Sequence, residues 1–149
     1  MNNMFYDCLK LANLNLGSLD TSSVTGMNGM FSYCTSLTSL NLKNFNTSNV
    51  TDMSQIFFGC SDLTDLNLES FDTSSVTSMA HMFLGCSKLT TTITIRGNVT
   101  DYIGMFSGAA TEEGAKITVN YTSETSTLVD DMITKKTSNS NVVKGTLKG

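Results

Sequence analysis

Proline is absent from the 149 residues, so the breaks in the backbone fall to Gly, Asn and Ser. Charge is scarce: Asp, Glu, Lys and Arg make up 15% of the chain, against about 25% in an ordinary globular protein. Ser, Thr and Asn stand in for the charges and predict a neutral-polar surface. Lys and Arg form no cluster and the formal net charge is −4. Both facts argue against a nucleic-acid backbone as partner. No apolar run reaches 18 residues, so no membrane span is expected. The opening MNNMFYDCLK has neither the basic start nor the apolar stretch of an export signal. Histidine occurs once, at His81. Without a second histidine, a C-x-x-C pair or a nearby carboxylate cluster, there is neither a triad nor a zinc ligand set. No enzyme activity, cofactor or metal is expected.

What the sequence does hold is repetition. FNTSNVTDMSQIFFGC (Phe45 to Cys60) returns as FDTSSVTSMAHMFLGC (Phe71 to Cys86), and the four cysteines at 8, 34, 60 and 86 are spaced by 26 throughout. Phe5, Phe31, Phe57 and Phe83 keep that spacing, as do Leu11, Leu37, Leu63 and Leu89, and Met1, Met27, Met53 and Met79. VTDYIGMF, Val99 to Phe106, is a contracted fifth copy, after one extra Thr in LTTTITI and a deletion around RGN. A period of this length is the mark of a solenoid, in which no unit buries its apolar face alone and stacked units bury one another's.

Each unit carries two hydrophobic periods. In LTSLNL, Leu40 and Leu42 alternate with Ser39 and Asn41, which predicts a short strand with the leucines inward. In VTDMSQIFFGC, Met53, Ile56, Phe57 and Cys60 stand at i, i+3, i+4 and i+7, which predicts a helix of about two turns. Gly59 and Gly85 would end such helices; Tyr33 in the same slot implies that a left-handed stop is not obligatory there. The cysteines read as buried thiols, the methionines and phenylalanines as core, and His81 as an exposed, variable helix position. Asp20, Asn46 and Asp72 read as side chains bonded to the backbone of a turn rather than as calcium ligands.

The pattern L-x-x-L-x-L-x-x-F resembles a leucine-rich repeat. The full unit, in which FDTSSVTSMAHMFLGCSKL follows the strand, looks like the BspA-type repeats of bacterial surface proteins over about residues 1–107. The expected fold is therefore an α/β solenoid: a leucine-rich repeat of about four 26-residue coils, short parallel strands on one side and short helices on the other, over residues 1–108. A C-terminal α+β cap over residues 109–149 completes it, with KITVNY and NVVKGTL as strands and TSETSTLVDDMITKK as a helix. The resemblance implies a secreted or surface-attached protein that binds others, often in adhesion to host surfaces.

Met1-Asn2-Asn3-Met4-Phe5 aligns with Met27 to Phe31, inside a repeat, with no polar cap before it. Self-association through this apolar end is an expectation. The outward strand positions are the candidate contact surface: Ser39 and Asp65 with Asn13 and Thr92, Asn41 and Asn67 with Asn15 and Thr94, and Lys43 and Glu69 with Arg96. The partner expected there is a protein, such as a host extracellular-matrix or surface protein, or a glycan. The rival reading is a structural spacer within a longer surface protein.

Overall fold

A computed structural model describes all of residues 1–149. The chain winds as a parallel β-solenoid of about four turns. Its single sheet has the order β1 (Ser39–Asn41), β2 (Asp65–Asn67), β3 (Thr90–Ile95), β4 (Lys116–Tyr121) and β5 (Val142–Leu147), every neighbour parallel. The alternation in LTSLNL is realised as expected: Leu40 and Leu66 are buried between exposed neighbours. The sheet runs unbroken past residue 108. One helix, α1 (Ser126–Thr134), packs beside β4 and β5 with Val129 and Met132 buried and Leu128 and Ile133 half-buried, the apolar face its sequence predicts. No helix is long and apolar enough to cross a membrane.

The repeat columns line the interior. Phe31, Phe57, Phe83 and Phe106 are buried, and with Phe5 their rings stack at 5.5, 5.8, 5.9 and 6.1 Å between centroids. Met27, Met53 and Met79, and Leu37, Leu63 and Leu89, are wholly inaccessible. Burying one such side chain is worth about 1.5–3 kcal/mol, so the columns are the main source of stability. The cysteines are free and stacked, and each buried thiol donates to a phenylalanine carbonyl of an earlier coil: Cys34 to Phe5, Cys60 to Phe31 and Cys86 to Phe57, at 3.2, 3.1 and 3.0 Å.

The helices expected opposite the sheet do not form. In their place each coil makes a string of tight turns. Met30 N–H donates to Met27 O, Ser32 to Gly29 and Cys34 to Phe31, while the intervening N–H groups leave the coil. Those of Met27, Gly29, Phe31 and Tyr33 reach the carbonyls of Asp52, Ser54, Ile56 and Phe58 one coil on, and the same ladder links every later pair of coils. A helix would spend these donors within itself. The spacing i, i+3, i+4, i+7 turns Met53, Ile56, Phe57 and Cys60 inward in either arrangement, so the pattern alone does not choose between them. The backbone does: two residues per coil are left-handed, Gln55 and Gly59 in one and His81 and Gly85 in the next, a conformation closed to helix interiors.

Tyr33 is itself left-handed, with φ 59°, and Asp7 has φ 60°; the slot demands this conformation even where glycine is missing. His81, at φ 56°, is half-buried in a turn and not exposed on a helix, and its Nδ1 is buried without a hydrogen-bond partner.

Polar columns hold the coils together. Thr47 Oγ1 accepts from Asp72 N–H at 2.8 Å and donates to Asp72 O at 2.9 Å. Thr21 does the same to Asn46, and Thr73 bonds Arg96 N–H and Thr94 O. All three threonines are buried. Beside them Asp20, Asn46 and Asp72 each accept from the backbone N–H two residues on, the turn role read from sequence.

Candidate binding groove on the sheet

The outward face of β2 and β3, bounded by the tail after β5, forms an open groove of about 700 Å³. It brings together Asp65, Asn67, Glu69, Thr92, Thr94 and Arg96 from the sequence-predicted rows, with Thr90, Asn120 and Lys148. Strand alternation puts these side chains on one face: the leucines at 66 and 68 must point into the core, so 65, 67 and 69 point out.

The rows on this face differ from the expected ones by one step. Thr90 stands beside Asp65 and Thr92 beside Asn67, where sequence alignment places Thr92 and Thr94. The strand restarts directly after Leu89, which drops Thr91 into the leucine column. Its hydroxyl is satisfied there by Leu66 O at 2.7 Å, which makes the buried slot tolerable. Asn13 and Asn15 lie outside the sheet altogether, because the first coil forms no strand.

Asn41 and Lys43 sit apart from the groove, in a smaller depression of about 430 Å³ with Asn15, Gly17, Asn44 and Phe45. Ser39 lines neither. Asn41 and Asn67 have a structural task as well: their Oδ1 atoms accept from Lys43 N–H at 3.1 Å and Glu69 N–H at 2.9 Å, which ends each strand in a turn. Their amide nitrogens make no bond within the chain. Asn120 and Lys148 were missed from sequence because they belong to no repeat column. The alternation of Ile117, Val119 and Tyr121 is the signal that turns Asn120 to the opposite face.

The groove mixes signs, with Asp65 and Glu69 against Arg96 and Lys148. The three ion pairs of the chain, Lys88–Asp62, Lys135–Asp131 and Lys144–Asp130, all lie elsewhere. Arg96 reaches only a backbone carbonyl, Gly149 O, at 3.3 Å. The groove thus offers free carboxylates, cations, hydroxyls and an amide to an extended polar ligand. No aromatic residue lines it.

This architecture defines a parallel β-solenoid with a polar sheet groove. The chain belongs to the family described as Mycoplasma protein of unknown function, DUF285, whose match spans residues 1–121 and so ends with the last residue of β4. No curated protein and no solved structure matches it.

Proposed function

We infer that this chain is a non-enzymatic, protein-binding repeat module of a bacterial cell-surface protein, of the BspA-type leucine-rich-repeat kind, acting in adhesion to host or other surface proteins. Residues 1–108 form the repeat body and residues 109–149 its cap. The observation that carries the reading is the groove: unpaired charges of both signs and free hydrogen-bonding groups converge on a sheet face held rigid by backbone ladders on two sides. A partner presenting an extended polar segment satisfies these groups, and preorganisation keeps the ordering cost on the module's side low.

The test replaces Asp65 by Asn, Glu69 by Gln and Arg96 by Gln in one variant. Binding to immobilised extracellular-matrix and host-surface proteins is then compared with the unaltered chain. Binding should weaken about tenfold or more with an unchanged melting curve. Adhesion that survives the triple substitution leaves the solenoid as a spacer.

A further inference from the structure

The charges of the sheet groove are sorted along the strands. Because β2, β3 and β4 run parallel, the groove has a start and an end. At the start Asp65 stands beside Thr90. Asn67 beside Thr92, then Thr94 beside Asn120, make an uncharged floor. At the end come Arg96, one residue past Ile95, and Lys148, one residue past Leu147. Ile95, Tyr121 and Leu147 share one level, so the two cations stand level as well. Glu69, two residues past Asn67, lies one step before them. The start therefore carries a lone carboxylate, and the end carries two cations against one carboxylate. Lys116, two strands over from Asp65, is outside the lining. None of the four lining charges joins an ion pair in the chain. Arg96 gives one donor to Gly149 O at 3.3 Å and keeps the rest of its fork. From Thr90 to Arg96 is six residues, about 20 Å of strand at roughly 3.3 Å per residue.

We propose that the groove takes an extended peptide segment of the opposite polarity, with a basic side chain at Asp65 and an acidic side chain about six residues away at Arg96 and Lys148. This names the partner chemistry of the adhesion reading and rests on that reading. Charge decides the occupant. A neutral glycan leaves all four charges without a counter-charge as it displaces their water. A polyanion meets Arg96 and Lys148 but is repelled by Asp65 and Glu69. A small zwitterion carries its two charges only a few bonds apart, far short of about 20 Å. An extended peptide rises by the same step per residue as the strands beneath it. An even separation also turns both charged side chains to one face, where an odd one turns them apart. Small polar residues between them meet the threonine hydroxyls and the amide nitrogen of Asn67.

The experiment titrates the full chain with peptides capped at both ends, read by backbone amide shifts at low ionic strength. The mixed probes are KSTSTSE and its reverse, ESTSTSK, since the groove face allows either chain direction. The controls are KSTSTSK, ESTSTSE, QSTSTSQ and KSTSTES, the last with its charges at an odd spacing. The better mixed probe should bind at least about fivefold tighter than every control, shift Asn67, Thr92 and Thr94, and lose that margin as salt is added. Asp65→Lys should weaken it at least about fivefold and make ESTSTSE the preferred peptide, with an unchanged melting curve because Asp65 is exposed. Equal affinities across the probes, no binding by any of them, or a preference untouched by Asp65→Lys would overturn the proposal. So would a neutral oligosaccharide that shifts the same amides where the mixed peptides do not. The adhesion reading fails by a different sign: immobilised proteins that bind the Asp65, Glu69 and Arg96 triple variant as well as the unaltered chain.

Discussion

The ring of Tyr33 occupies the space that a side chain on Gly59 would need. A Cβ built on Gly59 would lie 2.9 Å from Tyr33 Cδ1, and the backbone there has φ +71°. The same close approach occurs between His81 and Gly104, and between Asn3 and Gly29, where a side chain on one coil's left-handed residue lies against a left-handed glycine of the next. Gly59→Ala therefore carries two costs, left-handed strain of about 1–2 kcal/mol and overpacking of about 1–3 kcal/mol. Urea denaturation should show a loss within the sum of those ranges. In a Tyr33→Gly background the overpacking part disappears, and the same substitution should cost only the strain. An equal loss in both backgrounds would show that the ring does not press on residue 59.

Leu66 tests the stacked interior. It is 2% exposed, one strand position from the exposed Asp65. Leu66→Ala should cost about 2–5 kcal/mol, and Asp65→Asn no more than about 0.5 kcal/mol. The contrast between adjacent residues is the readout. Similar losses at both would contradict the strand alternation.

The buried threonines make a separate prediction. Thr47→Val keeps the shape of the side chain and leaves Asp72 N–H and C=O without the hydroxyl that bonds both. A loss of about 1–3 kcal/mol is expected, the cost of an unsatisfied buried group. Thr47→Ser keeps the hydroxyl and should lose less. A Val variant as stable as the Ser variant would mean that water or a shifted backbone satisfies Asp72.

Much of this architecture could be read in the sequence, for a physical reason. Every column at a spacing of 26 is a line of contacts in space, so Phe31, Phe57 and Phe83 announce their own stack. Strand alternation was equally legible, because Leu40 and Leu66 can face only the core. The turns were not. Met53, Ile56, Phe57 and Cys60 point inward from a helix and from a string of turns alike. What separates the two is the destination of the backbone N–H groups, which side-chain patterns do not record. Glycine at 59 and 85 fits a helix stop as well as a recurring left-handed turn. Tyr33 in the same slot implies that a left-handed residue is not required there, and nothing in its identity reveals φ 59°. The groove was half legible: Asp65, Asn67, Glu69 and Arg96 belong to repeat rows, whereas Lys148 arrives from a tail whose path no repeat dictates. The extra residue at Thr91 was visible, but its place inside the leucine column depends on the bond to Leu66 O.

The cysteine column gives the chain a pH limit. A cysteine ordinarily titrates near 9.0; burial pushes the thiol of Cys86 up to about 12 and that of Cys34 to about 11, against the partial help of the backbone each contacts. Cys60 moves in the same direction for the same reason. The folded state therefore holds these protons more tightly than the unfolded state. The stabilisation is complete below about pH 9 and is lost progressively as pH rises from there toward 12. Urea midpoints should fall between pH 8 and pH 10.5, and fall less in Cys86→Ala, because Lys and Tyr titrate alike in both chains. A thiol reagent at pH 8 should label Cys8, the one half-buried cysteine, well before the three buried ones. Four thiols reacting at one rate in the native protein, or an identical pH slope in Cys86→Ala, would mean that the column is open to solvent and that the coils do not shield it.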